Sequence, residues 1–335
     1  MVLTAPHPAD GAAVVRERVT RSARQTATAG FYQLTFQAMS TACRVSFRTG
    51  QPAVARAFQA DLLRWVADFE AKYSRFLPDS LVSRINAAAG RDWVAVDPET
   101  DQLFNLCQEM FFVTRGVFDP TALPLLQLWN WKAQPPVVPA DAAVQAAREL
   151  VGWRRVQRRP GAIHLPRAGM GLDLGGLGKE YAVDRVVGLA LEREINDVLV
   201  DFGQDVRVHG QPPERGAWHI GLQDPRQPAR CWTGVAVTNH AVATSGNYLR
   251  HFTHQGRRYG HLLDPRTGYP ADNGTLAVSV IAPNCTFAGI LSTAAFVLGA
   301  PEGLNLMRLC PGAEGCLSTE TQRHATPGFH AYITS

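Results

Sequence analysis

Stretches with helical and with strand periodicity are interspersed along this chain but do not alternate strictly, and that pattern constrains its fold more than any other feature. Strict alternation would predict a doubly wound parallel sheet, so its absence predicts an α+β architecture. Residues 31–36 alternate like a strand, with 43–47 as a hairpin partner. Phe58, Leu62, Trp65, Val66, Phe69 and Tyr73 recur at three- and four-residue spacing, which predicts a long helix ending before Pro78. Two further amphipathic helices are expected over 98–114 and 141–151, and 156–165 reads as a hairpin around Arg159-Pro160-Gly161. Beyond the glycine-rich stretch 173–180, a helix should run to about Glu194. Short strands follow at 198–201, 206–209, 218–222, 235–237 and 277–281, and a last helix at 287–298.

A chain of 335 residues suits one large domain or two closely packed lobes. Its 46% apolar and 19% charged content describes a well-buried globular protein. Residues 1–30 read as a disordered polar tail, and 134–139, rich in proline, is the one candidate hinge. A net charge of +4, with no dense Lys/Arg block and only Lys72, Lys132 and Lys179 as lysines, argues against a nucleic-acid face. The six cysteines are scattered without Cys-x-x-Cys or His/Cys metal spacing, so they read as small core hydrophobes. The first 30 residues lack the apolar core of a signal peptide, although their Arg, Ser and Thr content leaves a transit peptide open. No segment approaches 18 uninterrupted apolar residues. A cytoplasmic protein with no membrane partner is the expectation.

Four stretches concentrate polar groups on this apolar scaffold. Asp173-Leu-Gly-Gly-Leu-Gly-Lys179-Glu180 precedes a helix, where backbone N–H groups and the helix dipole favour phosphate. It matches neither the Walker A spacing, since Glu180 follows Lys179, nor Gly-x-Gly-x-x-Gly, so a turn without a ligand is equally consistent. Gly116-Val-Phe-Asp-Pro-Thr121 holds an acid and a hydroxyl in a tight turn, and Ala243-Thr-Ser-Gly-Asn-Tyr248 sets two hydroxyls beside a glycine. His261-Leu-Leu-Asp-Pro-Arg-Thr-Gly-Tyr-Pro270 packs His, Asp, Arg and Thr into a loop stiffened by two prolines. Each alone is also consistent with a turn in which Asp264 and Thr267 merely cap backbone groups.

Taken in order, these stretches resemble the ApbE family of flavin transferases from about Phe31 to Gly299. The likeness is carried by Met39-Ser-Thr41, Ser74-Arg-Phe-Leu-Pro-Asp-Ser80 with Asn86, Gly116-Val-Phe-Asp-Pro-Thr121 leading to Trp129, and Asp173-Leu-Gly-Gly-Leu-Gly-Lys179 with Tyr181-Ala-Val-Asp184. Val200-Asp-Phe-Gly203 with Asp205, Thr244-Ser-Gly-Asn-Tyr248, His261-Leu-Leu-Asp-Pro-Arg-Thr-Gly268 and Leu291-Ser-Thr293 complete it. The resemblance implies a single α+β domain over 31–335, of two packed lobes with mixed or antiparallel sheets and FAD in the cleft between them. It implies transfer of FMN from FAD to a Thr or Ser hydroxyl of an acceptor protein. The flavin ring would lie near Met39 and Phe76 in a cleft lined by Val117, Phe118 and Asp119. Pyrophosphate and adenosine would lie against Gly175, Gly178, Tyr181 and Leu263. Mg2+ would be held by the Gly178 carbonyl and the Thr293 hydroxyl, and His261 is the candidate general base.

Four positions depart from the family pattern. Ser40 and Gln204 stand where glycine is usual, and Glu180 replaces the glycine after the lysine. Gly289, four residues before Thr293, takes the place of an aspartate that would share a helix face with that threonine. A substitute acid such as Asp272 or Glu180, a metal held almost wholly by FAD, or flavin binding without transfer would each accommodate this. The last reading makes the chain a flavin carrier, and a metal-dependent FAD pyrophosphatase is a further alternative. On sequence alone, Gly289→Asp should restore a metal ligand at little cost to stability, glycine being a poor helix former.

Overall fold

The computed structural model describes residues 8–133, 135–212 and 215–334. Nine strands form one sheet and neighbour one another in chain order: Arg24–Thr28, Phe31–Ala38, Thr41–Arg48, Asp197–Phe202, Asp205–His209, Ala241–Gly246, Thr275–Ala282, Glu314–Thr319 and Arg323–Ala325. Every neighbouring pair is antiparallel. The helices are α1 (Pro8–Ser22), α2 (Pro52–Tyr73), α3 (Leu81–Ala87), α4 (Pro98–Val113), α5 (Leu123–Leu128), α6 (Asp141–Glu149), α7 (Gly178–Leu191), α8 (Cys285–Leu298) and α9 (Glu302–Arg308). The expected α+β class is what forms.

Side chains of a strand alternate between faces, and here both faces of the large sheet are covered. Val198, Val200 and Phe202 join a core with α2, α7 and α8, while the intervening Leu199 enters a second core. That second core closes under a small sheet of Trp218–Asp224, Gln227–Val237 and Ile333–Thr334, through Trp218, Leu222, Val235 and Phe329. A third cluster gathers Leu125, Trp129, Val144, Val151 and Phe252 beneath α5, α6 and the hairpin of His251–His254 and Arg257–Gly260. Helix α8 is apolar around nearly its whole circumference, as befits a helix buried between sheet and neighbours.

The polar tail expected over 1–30 is ordered from Pro8, with residues 1–7 outside the described part. Val15 and Val19, one turn apart, bury against the main core, and Arg16 and Arg18 pair with Asp68 and Glu70 of α2. Arg24–Thr28, exposed throughout, extends the sheet edge by backbone pairing alone. Two valines in a charged helix and a strand with no apolar face leave almost no periodic signal. In the candidate hinge, Gln134 lies outside the described residues, and the rest runs as an irregular connection into α6.

One acid ties the two central helices together. Asp184 of α7 accepts from the N–H of Cys285 and of Thr286 at 2.8 Å each, from the Thr286 hydroxyl at 2.6 Å, and from Arg207 at 3.0 Å. It thereby satisfies amides that the first turn of α8 leaves open. Asp184→Ala strands those donors together with the Arg207 charge, so a loss of about 2–4 kcal/mol is expected. Urea unfolding measures this, and a loss under about 0.5 kcal/mol, the range of an inert surface change, would show that the contact contributes little.

Candidate functional site

The chemistry-bearing stretches come together where loops leave the large sheet. Ala38 pairs with Thr41 across a two-residue loop whose Met39 and Ser40 have φ of +48° and +58°. Phe202 pairs with Asp205 across a second such loop, with Gly203 at +62° and Gln204 at +74°. A type I′ hairpin turn demands positive φ at both central residues, which is why glycine is at home where Ser40 and Gln204 stand. At Gly203 a side chain is excluded for a second reason, since a Cβ there would meet the Thr41 hydroxyl. The two loops lie side by side, joined by the Gly203 N–H donating to the Ala42 carbonyl at 3.0 Å. Met39 is fixed by its N–H donating to Glu70 at 2.9 Å.

Three remote segments clamp the glycine-rich stretch. Arg75 pairs with Asp173, and the Asp173 N–H donates to the Pro120 carbonyl at 2.8 Å. Asn86 receives the Leu172 N–H at 2.6 Å and donates to the Leu172 carbonyl at 3.0 Å. Gly175 donates its N–H to Asp173 at 2.6 Å and, with Gly176, faces solvent. A Cβ on Gly176 would stand 3.5 Å from the Phe118 ring, so Phe118 backs the loop. Gly178 opens α7 beneath Phe69, which stacks on half-buried Tyr181 at 5.6 Å. Phe76, in contrast, is 75% exposed, with the Arg75 guanidinium 4.2 Å above its ring. An aromatic left that open beside a clamped glycine loop suits a stacking role better than a core role.

Asp119 sits in the expected turn, but its carboxylate serves the fold. One oxygen accepts from the N–H and hydroxyl of Thr121 at 2.8 and 2.5 Å, and the other from the Trp153 N–H at 3.0 Å. Burial raises its pKa above the usual carboxylate range. Val117 beside it is buried in the main core.

The loop 261–270 divides its labour. Arg266 grips Asp264 with two bonds of 2.9 and 2.8 Å, and the Gly268 N–H donates to the Asp264 carbonyl at 2.7 Å. Trp129 donates its indole N–H to the Gly268 carbonyl at 2.8 Å. Asp264 and Thr267 are thus turn formers, leaving His261 as the group with chemistry to offer. Leu263, half-buried, packs against the third cluster. His261 Nδ1 lies 3.1 Å from the Arg250 carbonyl. A carbonyl only accepts, so Nδ1 carries the proton and Nε2 keeps a lone pair. Burial, aided by the Arg250 charge, pushes the imidazole pKa down to about 4. The ring is neutral at pH 7.

Thr293 is reached by a chain of hydroxyls. Ser292 donates to the Gly289 carbonyl at 2.9 Å, Ser245 lies 2.8 Å from Ser292, and Thr293 lies 2.8 Å from Ser245. Ser292 has one proton and spends it on the carbonyl, so Ser245 donates to Ser292 and Thr293 donates to Ser245. The Thr293 oxygen therefore keeps its lone pairs free, the state a cation ligand needs. Neighbouring Thr244 bonds to Ser279 at 2.8 Å and is structural. Ser245 is the penultimate residue of strand Ala241–Gly246, so Thr293 lies at the end of that strand, and Arg250, partner of His261, follows Ser245 by five residues.

Lys179 pairs with Asp205 and lies 3.1 Å from Glu180 Oε1, while Glu180 Oε2 is buried without a partner among the described residues. Asp272 is exposed and paired with Arg257 at 2.8 Å. Sequence reasoning missed the roles of Asp184, Glu70 and the Ser245–Ser292 relay, because each rests on contacts between residues far apart in the chain. No group of three or more His, Cys, Asp or Glu among the described residues could hold a metal unaided. No described helix is long and apolar enough to cross a membrane.

Comparison with known proteins shows the family and the fold. The model of the ApbE family matches residues 39–317. An FAD:protein FMN transferase of Treponema pallidum is 32% identical over 298 residues, covering 82% of this chain and 81% of that protein. One of Klebsiella pneumoniae is 33% identical over 233 residues, covering 69% and 72%. The solved ApbE protein of Thermotoga maritima superposes with a TM-score of 0.83 at 31% identity, over 91% of this chain and all of that one (100%). The flavin transferase ApbE of Vibrio cholerae superposes with a TM-score of 0.81 at 25% identity, over 92% and 99%.

Proposed function

This chain belongs to the ApbE family, and we propose that it is an FAD:protein FMN transferase acting on a Thr or Ser hydroxyl of an acceptor protein. The observations that support this reading are a neutral His261 whose Nδ1 is taken up by the Arg250 carbonyl, leaving Nε2 as the acceptor, and a Thr293 hydroxyl that donates to Ser245 at the end of strand Ala241–Gly246, leaving its lone pairs for a cation. One group accepts a proton and the other binds a cation, which is what attack of a hydroxyl on a phosphate requires.

In the proposed reaction the acceptor oxygen forms a bond to the FMN phosphorus. The phosphorus–oxygen bond to the AMP half of the pyrophosphate breaks, AMP leaves, and the hydroxyl proton passes to Nε2 of His261. Negative charge arriving with FAD raises the proton affinity of His261 from its low resting value, bringing the base nearer its working range. The flavin ring would rest by Met39 and Phe76, with Val117 and Phe118 as the wall and Asp119 keeping their turn in shape. Gly175, Gly178, Tyr181 and Leu263 would receive the pyrophosphate and adenosine.

Magnesium fits the donors available. The Gly178 carbonyl and the Thr293 hydroxyl are hard oxygens, and Mg2+ is commonly shared between a few protein oxygens and substrate phosphates. Bound there, it would neutralise charge on the pyrophosphate. The chain's own part is to present those oxygens and to hold the glycine loop through Arg75, Asn86 and Asp173.

The test is AMP release from FAD with Mg2+, with and without an acceptor peptide bearing a single threonine. Transfer predicts AMP formation that depends on the peptide. AMP and free FMN at the same rate without peptide would identify a pyrophosphatase, and FAD binding with no AMP would identify a carrier.

A further inference from the structure

We propose that Glu180 supplies the carboxylate of the divalent-cation site, in the space that a side chain at position 289 would otherwise fill, and that Gly289 is glycine to make that room. The inference rests on the reading of this site as a place where FAD phosphates and a cation meet.

Glu180 lies in the first turn of α7, two residues beyond Gly178, and is only 8% exposed. Its Oε1 is neutralised by Lys179 at 3.1 Å, whereas Oε2 is buried and unpartnered. Leaving a buried carboxylate oxygen unmatched costs free energy unless something binds it, and a hard cation is the fitting partner. The neighbouring acids are all committed. Asp205 is held by Lys179, Asp173 by Arg75 and the Gly175 N–H, and Asp184 by the start of α8. Asp272, the other candidate from the sequence, is on the surface with Arg257.

The contact with Gly289 gives the carboxylate its address. A Cβ built on Gly289 would stand 2.5 Å from Glu180 Cγ, 3.2 Å from Cδ and 3.4 Å from Oε1. Glutamate reaching across from α7 therefore occupies the volume that the first atoms of an aspartate on α8 would take. Gly289 and Thr293 lie one helical turn apart, so the carboxylate is delivered to the face of α8 that Thr293 shares. The longer glutamate on one helix and the missing side chain on the other are two halves of one exchange. Neither Glu180 nor Gly289 is then a loss of function, although each departs from the family pattern.

The experiment titrates Mn2+, as a spectroscopic stand-in for Mg2+, into the protein–FAD complex without acceptor and follows loss of the free-ion paramagnetic signal. Glu180→Gln, nearly isosteric, is expected to weaken Mn2+ binding at least ~10-fold, the range in which perturbed metal sites fall, while metal-free FAD affinity stays close to wild type. The exchange variant Glu180→Gly/Gly289→Asp should recover most of the affinity, and it decides the matter if Glu180→Gln does not fold. Mn2+ binding to Glu180→Gln within twofold of wild type, or an exchange variant that binds FAD but recovers no Mn2+ affinity, overturns the inference. Acceptor modification by the wild type is scored in parallel. Transfer that persists beside unaltered Mn2+ binding sinks the assignment of Glu180 alone, whereas a wild type that binds Mn2+ and FAD but never transfers sinks the functional reading instead.

Discussion

His261→Gln is expected to lower FMN transfer by about 10²–10⁴-fold, the span a positioned general base contributes, with FAD affinity nearly unchanged. The expectation comes from the ring's tautomer. Nδ1 donates its N–H to the Arg250 carbonyl, leaving Nε2 as the acceptor, and glutamine's amide offers no nitrogen lone pair of comparable basicity. The same geometry sets the pH response. With its pKa pushed down to about 4, the free enzyme should hold kcat/KM well below the ordinary histidine value near 6.5 before activity falls. If FAD binds beside His261 as proposed, its negative charge would raise the proton affinity, and the acid limb of kcat should then lie at higher pH than that of kcat/KM. Stability follows a related rule. The folded value lies below the unfolded one, so the unfolded chain binds the proton first and the fold loses stability as pH drops from about 6.5 toward 4. A Gln variant that transfers at more than about a tenth of the wild-type rate would remove His261 from the role of base, since base catalysis is worth more than that.

Gly289→Asp is expected to damage the protein where the sequence alone suggests a gain. The family pattern invites restoring an aspartate one turn before Thr293, and helix propensity predicts little penalty. The structure reverses that expectation, because the new Cβ would press to 2.5 Å from Glu180 Cγ in a buried contact. Overpacking of this kind costs about 1–3 kcal/mol, and a second carboxylate against the first adds like-charge repulsion. Both thermal stability and transfer at fixed Mg2+ should fall, the latter by at least ~10-fold if the cation site is displaced. Removing Glu180 in the same chain should relieve both effects. A single Gly289→Asp variant with higher activity and half-saturation at lower Mg2+ would show that Glu180 yields its place easily.

What the sequence discloses about this protein follows the range over which its signals act. The stripe Phe58, Leu62, Val66, Phe69 and Tyr73 repeats locally, and it lies on α2 with its end at Ser74, ahead of Pro78. The strand pattern near 198–201 survives because both faces of Asp197–Phe202 are buried, and the helix expected at 287–298 begins only two residues earlier, at Cys285. Helix α1 was hidden because two valines and several ion pairs to α2 hold it, and ion pairs leave no period in the sequence. At the candidate site, motif order singled out residues but not their division of labour. Asp119, Asp264 and Thr267 look like ligands in a string of letters, yet all three spend their polar atoms on backbone and side-chain partners, those of Asp264 and Thr267 in their own turn and those of Asp119 in its turn and at Trp153. The exchange between Glu180 and Gly289 was visible as two separate oddities, 109 positions apart by subtraction of their numbers. Only the packing of α7 on α8 shows them to be one contact.

Intact-mass measurement of an acceptor tests most directly whether this chain moves FMN onto a protein hydroxyl. The wild-type chain, FAD, Mg2+ and an acceptor peptide with one threonine should yield a peptide heavier by one FMN less water. Equimolar AMP should accompany it, and no mass change should occur when that threonine is valine. An unmodified peptide beside consumed FAD, or a mass gain that survives loss of the threonine, would contradict the account.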